Sequence, residues 1–520
     1  MSTETLARWQ FAITTVYHFL FVPITLAMSF LVAILQTIWL RTGNPEFLRL
    51  TKFYGKLFLI NFAIGVATGL VQEFQFGMNW SDYSRFVGDI FGAPLALEAL
   101  LAFFLESTFL GLWIFGWDRL NRKIHLACIW IAAIGTNLSA IFILAANSWM
   151  QNPIGWRFNE VTNRAELTDF VAVLTNPVLL VTLPHQLTAA WLTAGALMVG
   201  IAGWHLHRYA RADATAIAAP VTEAAEDGDA DTPEVGAKPI TTTNATDDRG
   251  AFLKALRIGA IAMLIGGLGV LVSGDFQSKV MTQVQPMKMA AAEGLYETEQ
   301  PAAFSLLTIG TLDGEHEVFS IKIPGLLSFL AHGNFDGEVR GINQLNADYA
   351  AKYGPQLEQV YGPEIARQVT TYNPNIPVTY WTFRIMITLG LIAIVIGAWA
   401  LWMTRHGKLP PARGLWGRVW LWAMVAVPLL PLFANSFGWI FTEMGRQPWV
   451  VFGVMPTAAG VSPGVSAGAV LTSMIGFTVV YAALAVVEVG LLLKYIKAGL
   501  PEVAEPKVIE HDDEPLSFAY

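Results

Sequence analysis

Apolar runs separated by short charged stretches make up most of this chain of 520 residues. Nine of the runs are long enough for a helix to cross a lipid bilayer, which takes about 20 residues. Nothing in the pattern is typical of a membrane β-barrel. The pattern therefore predicts an all-α fold, a polytopic membrane helix bundle of about nine transmembrane helices. The runs lie near residues 11–40, 54–78, 93–117, 125–149, 180–207, 252–273, 379–404, 415–442 and 467–493.

Basic residues gather in every second loop between the apolar runs. By the positive-inside rule these loops face the cytoplasm. This predicts an N-terminus outside and a C-terminus in the cytoplasm. The basic positions are Arg41, Arg49, Lys52 and Lys56, then Arg119, Arg122 and Lys123, then Arg208 and Arg211, then Arg405, Lys408 and Arg413, and finally Lys494 and Lys497.

Three polar segments lie outside the predicted spans. Residues 212–250 are acidic and contain no aromatic residue, so they are predicted to be a flexible cytoplasmic linker. Residues 274–378 mix aromatic, apolar and charged positions, which favours an ordered external loop. Residues 498–520 are predicted to be a cytoplasmic tail. The spans then fall into three blocks, with helices one to five in 1–211, helix six in 251–273 and helices seven to nine in 379–497.

The composition narrows the class of protein. With 54% hydrophobic and 14% charged residues, and a positive mean hydropathy, the chain is too apolar for a soluble multidomain protein. Much of the net charge of −8 arises in the linker and the tail, so no nucleic-acid partner is predicted. The single cysteine, Cys128, excludes an internal disulfide and a thiolate-bound cluster. The first run lacks a clear cleavage site and is predicted to be retained as a span.

Few ionisable side chains lie inside the predicted spans. His18 is alone in the first run, Glu98 and Glu106 lie in the third, and His185 lies in the fifth. Burying such a group in hydrocarbon costs several kcal/mol unless it is paired or ligated, so each is a candidate functional residue. Glu488, near the inner end of the last run, is instead interpreted as an interfacial or snorkelling side chain.

Glu443 ends the long uncharged stretch of the eighth run, and Arg446 follows three residues later. His18, Glu98 and Glu443 all lie toward the predicted outer face, where one imidazole and two carboxylates could meet at one depth and bind iron. Plainer interpretations remain open from the residues alone. Glu443 could be a helix end-cap, and a lone histidine could be a packed core residue.

Several motifs resemble those of one family. Gly-Arg-Gln-Pro-Trp at 445–449 resembles the signature of subunit I, the haem-bearing subunit of cytochrome bd-type quinol oxidases. The other similar blocks occur in the family's order and extend over most of the chain, and the short external loop resembles the short quinol-loop branch. The blocks are Tyr-His-Phe-Leu-Phe-Val-Pro at 17–23, Gly-Leu-Val-Gln-Glu-Phe-Gln-Phe-Gly at 69–77, Gly-Asp-Ile-Phe-Gly-Ala-Pro-Leu-Ala-Leu-Glu at 88–98, Phe-Phe-Leu-Glu-Ser-Thr at 103–108, Asn-Ser-Trp-Met-Gln-Asn-Pro at 147–153 and Phe-Arg-Ile-Met at 383–386.

The resemblance implies three haems, a low-spin haem b, a high-spin haem b and a haem d. It implies that His185 and Met386 bind the low-spin iron, although a methionine alone would more often be core filler. It also implies that His18 and Glu443, with Glu98 as a further candidate, bind the high-spin irons, with their assignment open. Neighbouring cofactor contacts are expected from Arg384, as a partner of a haem propionate, and from Arg446 and Trp439.

The external loop carries Lys288 and Glu293 on a predicted short helix. A spacing of five does not favour a mutual ion pair on a helix, so both charges are expected to be free for another contact. The resemblance implies that they bind quinol; two solvated loop charges would be the plainer interpretation.

The function implied is a quinol:oxygen oxidoreductase, a terminal respiratory oxidase in the bacterial inner membrane. It would oxidise ubiquinol or menaquinol at the outer face and reduce dioxygen to water. A homologous haem-free subunit II and a small single-span subunit are the implied partners. Two other classes share intramembrane histidines and carboxylates, namely a secondary transporter and a non-catalytic dihaem membrane anchor. The absence of a visible internal repeat weighs against the transporter.

Glu106 follows Glu98 by eight residues. On a regular helix it would lie about 12 Å further toward the cytoplasm and be rotated by some 80°. We predict that it relays protons taken from the cytoplasm to the site of oxygen reduction, so that turnover contributes to the proton motive force. A protonated, hydrogen-bonded carboxyl group with no such role is the alternative.

Overall fold

Helices dominate the computed structural model, which describes residues 2–218, 243–311, 314 and 316–503. The helices are α1 (Thr3–Phe19), α2 (Val22–Thr42), α3 (Pro45–Met78), α4 (Ser81–Leu97), α5 (Phe104–Phe115), α6 (Arg122–Gln151), α7 (Phe170–Leu174), α8 (Pro177–Ala218), α9 (Thr243–Val284), α10 (Pro286–Glu293), α11 (Leu326–His332), α12 (Ile342–Gln368), α13 (Ile376–Met403), α14 (Gly414–Ala426), α15 (Leu429–Met444), α16 (Thr457–Gly460) and α17 (Ala467–Ala498). Three antiparallel hairpins join them, formed by β1 (Trp156–Asn159) with β2 (Arg164–Leu167), β3 (Phe304–Gly310) with β4 (Glu317–Ile323), and β5 (Trp449–Val451) with β6 (Met455–Pro456).

The predicted membrane bundle is confirmed. Within the described residues, eight stretches of helix are long and apolar enough to cross a membrane. A ninth results if α14 and α15 form one span, because they are bent by 41° at a short break. Pro428, at the start of α15, accounts for the break, since proline cannot donate the backbone hydrogen bond that would continue α14.

The first span is not one straight helix. α1 ends at Phe19, the residue after His18, and α2 begins at Val22. Pro23 is the cause, because its ring clashes with the carbonyl four residues earlier and its nitrogen has no proton. The Asn61 side chain donates to the Phe21 carbonyl at 3.0 Å and so pairs one backbone group at the break. The break places His18 in the last turn of a helix.

A π-helical segment, Glu98–Phe103, joins α4 to α5 within the third span. A π-turn contains one residue more than an α-turn. The eight residues from Glu98 to Glu106 therefore make about two turns, not the roughly 2.2 turns of a regular α-helix. The rotation of some 80° applies only to a regular helix, and this segment is not regular, so both carboxylates can face the same neighbouring helix.

The main apolar core is built mostly from α2, α3, α6, α8 and α9, with contributions from α5, α13 and α14. α8 and α9 approach closely because glycines lie at their contact. A Cβ atom at Gly195 would lie 2.6 Å from the Gly259 carbonyl oxygen, so no larger residue fits without movement. This close packing places the side chains of the outer half of α8 beside α9.

The predicted linker 212–250 lies mostly outside the described residues, as does most of the predicted tail. α8 and α9 extend over residues 212–218 and 243–250 of the linker, so helix replaces flexible chain at both of its ends. The predicted external loop 274–378 begins inside α9 and contains α10, the β3–β4 hairpin, α11 and α12. A packed cluster of α10 and α12 side chains includes Met287, Leu345 and Tyr353.

Candidate functional site

The His18 ring is oriented by a threonine. Its Nδ1 lies 2.9 Å from the Thr68 hydroxyl oxygen. That hydroxyl has one proton, which it directs to the carbonyls of Ile64 (2.9 Å) and Gly65 (3.0 Å). The hydroxyl oxygen therefore accepts from His18, so Nδ1 carries the ring proton and Nε2 keeps its lone pair. No hydrogen bond to this Nε2 is found within the described part of the chain.

His185 repeats this arrangement on α8. Its Nδ1 lies 3.1 Å from the Ser273 hydroxyl oxygen, and the Ser273 hydroxyl donates to the Gly269 carbonyl at 2.6 Å. By the same argument the Nε2 lone pair is directed away from the hydroxyl. A neutral imidazole whose Nδ1–H is donated to an oxygen is the form that binds a metal through Nε2. Both rings therefore fit an axial ligand of haem iron.

Other buried histidines do not share this feature. The His125 ring uses both nitrogens, since Nδ1 lies 2.8 Å from the Gln36 amide and Nε2 lies 2.8 Å from the Trp113 carbonyl. The His205 Nε2 lies 2.8 Å from the Ile496 carbonyl. These rings are structural, and the contrast separates His18 and His185 from them.

Helix α6 contacts all three candidate carboxylates. The Thr136 hydroxyl lies 2.7 Å from Glu106, and the Ser139 hydroxyl donates to Glu98 at 2.8 Å. The Asn147 amide donates to Glu443 at 3.1 Å. These α6 positions span eleven residues or about 16 Å of helix. The described residues contain no group of three His, Cys, Asp or Glu side chains that could hold a metal ion. The three carboxylates are therefore spread along α6, which suits separate contacts with large planar groups better than one shared metal ion.

Glu443 also forms an ion pair with Arg446, whose side chain is buried. Arg446 in turn donates to the Trp449 carbonyl at 3.3 Å, which links it to the first residue of β5. One turn earlier on α15, the Trp439 ring stacks on Phe19 with centroids 5.2 Å apart. α15 therefore packs against the end of α1, beside His18. The Trp439 indole N–H is buried with no partner among the described residues, so it can donate to a bound group.

Met386 lies on α13 against α15. A Cβ atom at Gly438 would lie 2.7 Å from the Met386 sulfur, so only glycine leaves room for this side chain. Arg384, two residues earlier, is paired with Glu293 of α10 at 2.6 Å and donates to the Ser305 carbonyl at 2.6 Å. Its Nε is buried with no partner in the described residues, so one donor is left for an acidic group.

Lys288 and Glu293 are not free, contrary to the sequence-based expectation. Lys288 is 2% exposed and Glu293 is 4% exposed. The Lys288 ammonium lies 2.5 Å from the side-chain oxygen of Gln151, and Glu293 is paired with Arg384. The spacing of five does exclude a mutual pair, but α10 is buried between α9, α12 and α13, where each charge meets a partner from another element.

Burial controls the ionisation of both side chains. It lowers the pKa of Lys288 well below its ordinary value, and the positive charge of Arg446 acts in the same direction while Glu443 opposes it. Burial likewise raises the pKa of Glu293, although Arg384 opposes the shift. The α10 helix therefore brings a weakly basic amine and a weakly acidic carboxyl group to the N-terminal end of α13 and the C-terminal end of α15.

Sequence reasoning missed the residues that orient the candidates. Two signals were available in the sequence. Thr68 directly precedes the Gly69 block, and Asn147 and Gln151 lie one helical turn apart within the block at 147–153. Ser273 has no such signal. Glu488 is 8% exposed, so the interpretation as an interfacial side chain is wrong. It lies ten residues before the end of α17 and packs toward the bundle.

Comparison with known proteins gives one consistent result. The model of the family described as cytochrome bd terminal oxidase subunit I matches residues 6–500. The chain is 43% identical to cytochrome bd ubiquinol oxidase subunit 1 of Bacillus subtilis, covering 99% of this chain and 97% of that protein. It is 36% identical to cytochrome bd-II ubiquinol oxidase subunit 1 of Escherichia coli, covering 95% and 96%. The fold is similar to that of the bd oxidase from Geobacillus thermodenitrificans, with a TM-score of 0.75 at 24% identity, over 96% of this chain and 99% of that one.

Proposed function

This chain belongs to the cytochrome bd terminal oxidase subunit I family, and from that premise we propose how its residues divide the work of a quinol oxidase. The family makes the protein a subunit of a terminal respiratory oxidase that contains haem, uses quinol and oxygen, and has a partner subunit. The finer proposal is that quinol is oxidised at the outer face of a bacterial cytoplasmic membrane. Dioxygen is reduced to water with protons taken from the cytoplasm.

The two hydroxyl-oriented imidazoles carry the proposal. His185 and Met386 would hold a low-spin haem b, and this ligand pair favours electron transfer over oxygen binding. His18 would hold one high-spin iron and Glu443 or Glu98 the other, which are the irons of a high-spin haem b and a haem d. When bound, these haems supply the electron transfer and the oxygen chemistry.

Other residues would contact the edges of the haems. The Trp439 indole N–H and the Arg384 Nε are buried donors without partners in the described chain, and a propionate or another acceptor would satisfy them. Arg446 holds the Glu443 carboxylate through a charge-assisted ion pair and so orients it.

Lys288 and Glu293 would receive the quinol head group. Oxidation of a quinol releases two protons, and a carboxylate whose pKa is raised accepts a proton more readily than an exposed one. Arg384 orients Glu293, and Gln151 orients Lys288, so both side chains are held in place before the substrate binds. The outer location of α10 would release the protons on the outer side.

A haem-free subunit II and a small single-span subunit are the proposed partners. The third span, which contains the π-helix, is only 17% buried over its most apolar window, and its neighbour Pro45–Met78 is 22% buried. These exposed apolar surfaces are available to a membrane partner. The same proposal places the N-terminus outside and the C-terminus in the cytoplasm.

A reduced-minus-oxidised absorbance spectrum of the purified complex, repeated with carbon monoxide, tests the function. We expect one low-spin haem b, one high-spin haem b and a chlorin-type haem d, with carbon monoxide binding to a high-spin iron. A preparation that contains its full haem but no carbon-monoxide-reactive iron would indicate a dihaem electron-transfer anchor. A preparation that never contains haem would indicate a transporter.

A further inference from the structure

The β3–β4 hairpin of the external loop has its apolar and polar faces reversed relative to a water-exposed hairpin. Directly opposed residues of an antiparallel pair share a face. The pairs Ile309 with Phe319 and Leu307 with Ile321 form an outward apolar face, which Ile323 extends. Phe319 is 52% exposed, and Ile309 and Ile321 are each 48% exposed.

The opposite face of the hairpin is polar and packs against α13. The Ser305 hydroxyl lies 2.8 Å from the Tyr380 hydroxyl, and the Thr308 backbone N–H donates to the same oxygen at 2.6 Å. Arg384 donates to the Ser305 carbonyl at 2.6 Å. A half-exposed hairpin in water turns its apolar side chains inward and its polar ones outward. The reversed arrangement here indicates that the outward surroundings are apolar.

The depth of the hairpin agrees with this. Tyr380 and Arg384 lie four and eight residues inside α13, which begins at Ile376, so β3 contacts the first two turns of a membrane span. On the other side, the α11 residue Phe329 lies 5.9 Å from the ammonium of Lys279, which is five residues before the end of α9. The hairpin and α11 therefore lie beside the outer ends of two spans.

The apolar surface is continuous with a membrane-facing surface. Phe276 of α9 is 57% exposed, and the centroid of its ring lies 5.9 Å from the Lys279 ammonium nitrogen. Lys279 forms an ion pair with Asp275 at 2.6 Å, and such a charged pair marks the level of the lipid head groups. Phe329 and Phe335 of the α11 region stack at 4.9 Å and remain partly exposed at the same level.

We propose that the β3–β4 hairpin lies in the outer leaflet of the membrane, with the face of Leu307, Ile309, Phe319, Ile321 and Ile323 against phospholipid at the boundary between head groups and acyl chains. An amphipathic element of this kind is held by its buried apolar area. The lipid contact then keeps Ser305 on Arg384 and so supports the Arg384–Glu293 pair. The observations behind this placement are the faces and depth of the hairpin, and they do not depend on the proposed quinol chemistry.

Spin labels at single cysteines test the placement. Cys128 is the only cysteine of the chain and is buried, so labels can be directed to Phe319→Cys and Ile321→Cys. Val161→Cys is the matched control, because Val161 lies at the turn of the β1–β2 hairpin and is 95% exposed. Each variant is prepared as the complete oxidase complex in phospholipid nanodiscs, and its haem absorbance is compared with wild type to confirm the fold.

Collisions of each label with oxygen and with a polar nickel chelate are measured by electron paramagnetic resonance. Labels at 319 and 321 should show an oxygen-to-nickel ratio above that at 161 by on the order of tenfold, the factor that about 1.4 kcal/mol of partition free energy produces. High nickel accessibility at 319 and 321 would place the hairpin in water and overturn the proposal. Low accessibility to both reagents would show that protein covers the hairpin and would equally overturn it.

Discussion

At the scale of single residues, each candidate imidazole depends on one hydroxyl, so the hydroxyl can be tested apart from the ring. Ser273 accepts the Nδ1–H of His185 while its own proton is used within α9. Losing such a partner of a metal-binding histidine typically costs about 10- to 100-fold in affinity or activity.

Ser273→Ala should therefore weaken retention of the low-spin haem and alter its reduced spectrum, while the high-spin signals stay unchanged. Haem content and the potential of the low-spin signal are measured on the purified complex. Ser29→Ala is the control, since Ser29 is also buried and its hydroxyl donates only to the Leu26 carbonyl of its own helix. Equal behaviour of the two variants would mean that Ser273 does not orient a ligand.

The sulfur of Met386 can be removed with little change in volume. Met386→Leu should cost less than about 1.5 kcal/mol in packing, yet the low-spin signal should become high-spin because the soft ligand is lost. Absorbance spectroscopy measures the change. Met28→Leu, in the buried core, should leave every haem signal as in wild type. An unchanged spectrum with full activity in Met386→Leu would make this residue core filler.

The raised pKa of Glu293 predicts that quinol oxidation depends on pH. As pH falls through its raised pKa, the carboxylate becomes protonated and can no longer accept a proton from quinol, so kcat should fall on the acid side. Glu293→Gln should lower kcat and remove this acid limb while leaving the haem spectra intact. The profile of quinol oxidation against pH measures both effects. Glu297→Gln, an exposed position of the same loop, should keep the wild-type profile.

Rare charge in apolar runs singles out His18, Glu98, Glu106 and His185 as candidates, whereas Met386 was predicted only from the family resemblance. Their hydrogen-bond partners were not predicted: Ser273 and Ser139 are ordinary residues inside helices, and only tertiary contacts identify them. The expectation that Lys288 and Glu293 have no protein partner was wrong for the same reason, since their partners Gln151 and Arg384 are distant in sequence.

At the scale of elements, the eight or nine spans of the described residues follow from hydrophobic length, but their irregularities do not. The break after α1 could be inferred from Pro23, since proline has a fixed effect on a helix. The π-helix Glu98–Phe103 contains no proline or glycine that would signal it, and its contact with Ser139 of α6 is visible only in the structure. That segment sets how Glu98 and Glu106 are arranged.

Changes in length test this element. Deleting Leu100, which is 77% exposed, leaves seven residues from Glu98 to Glu106, or about two turns of regular α-helix, so both carboxylates should still face α6. Inserting an alanine after Leu100 should turn Glu98 by about 100° relative to Glu106. We expect the deletion to keep the carbon-monoxide-reactive haem and the insertion to lose it. The same haem content in both variants would show that the register of the segment is unimportant.

At the scale of the whole molecule, the predicted chemistry is divided between the two sides of the membrane. The external loop, Glu293 and the hydroxyl-oriented histidines lie toward one end of the bundle, while protons for oxygen reduction are proposed to come from the other. Glu106 lies about two turns beyond Glu98 along the third span, is 7% exposed and shares a hydrogen bond with Thr136. In the proposed orientation, this position is between the proposed high-spin site and the cytoplasmic side.

Glu106→Gln keeps the shape and the hydrogen bond to Thr136 but cannot exchange a proton, so oxygen consumption should fall strongly. Glu106→Asp keeps the proton exchange with a shorter reach and should retain partial activity. Electron entry does not need this proton, so stopped-flow reduction of the low-spin haem should stay near the wild-type rate in both variants while turnover falls. Glu488→Gln, another buried carboxyl position but on α17, is the control and should keep turnover. Full turnover in Glu106→Gln with intact haems would remove Glu106 from the proton path.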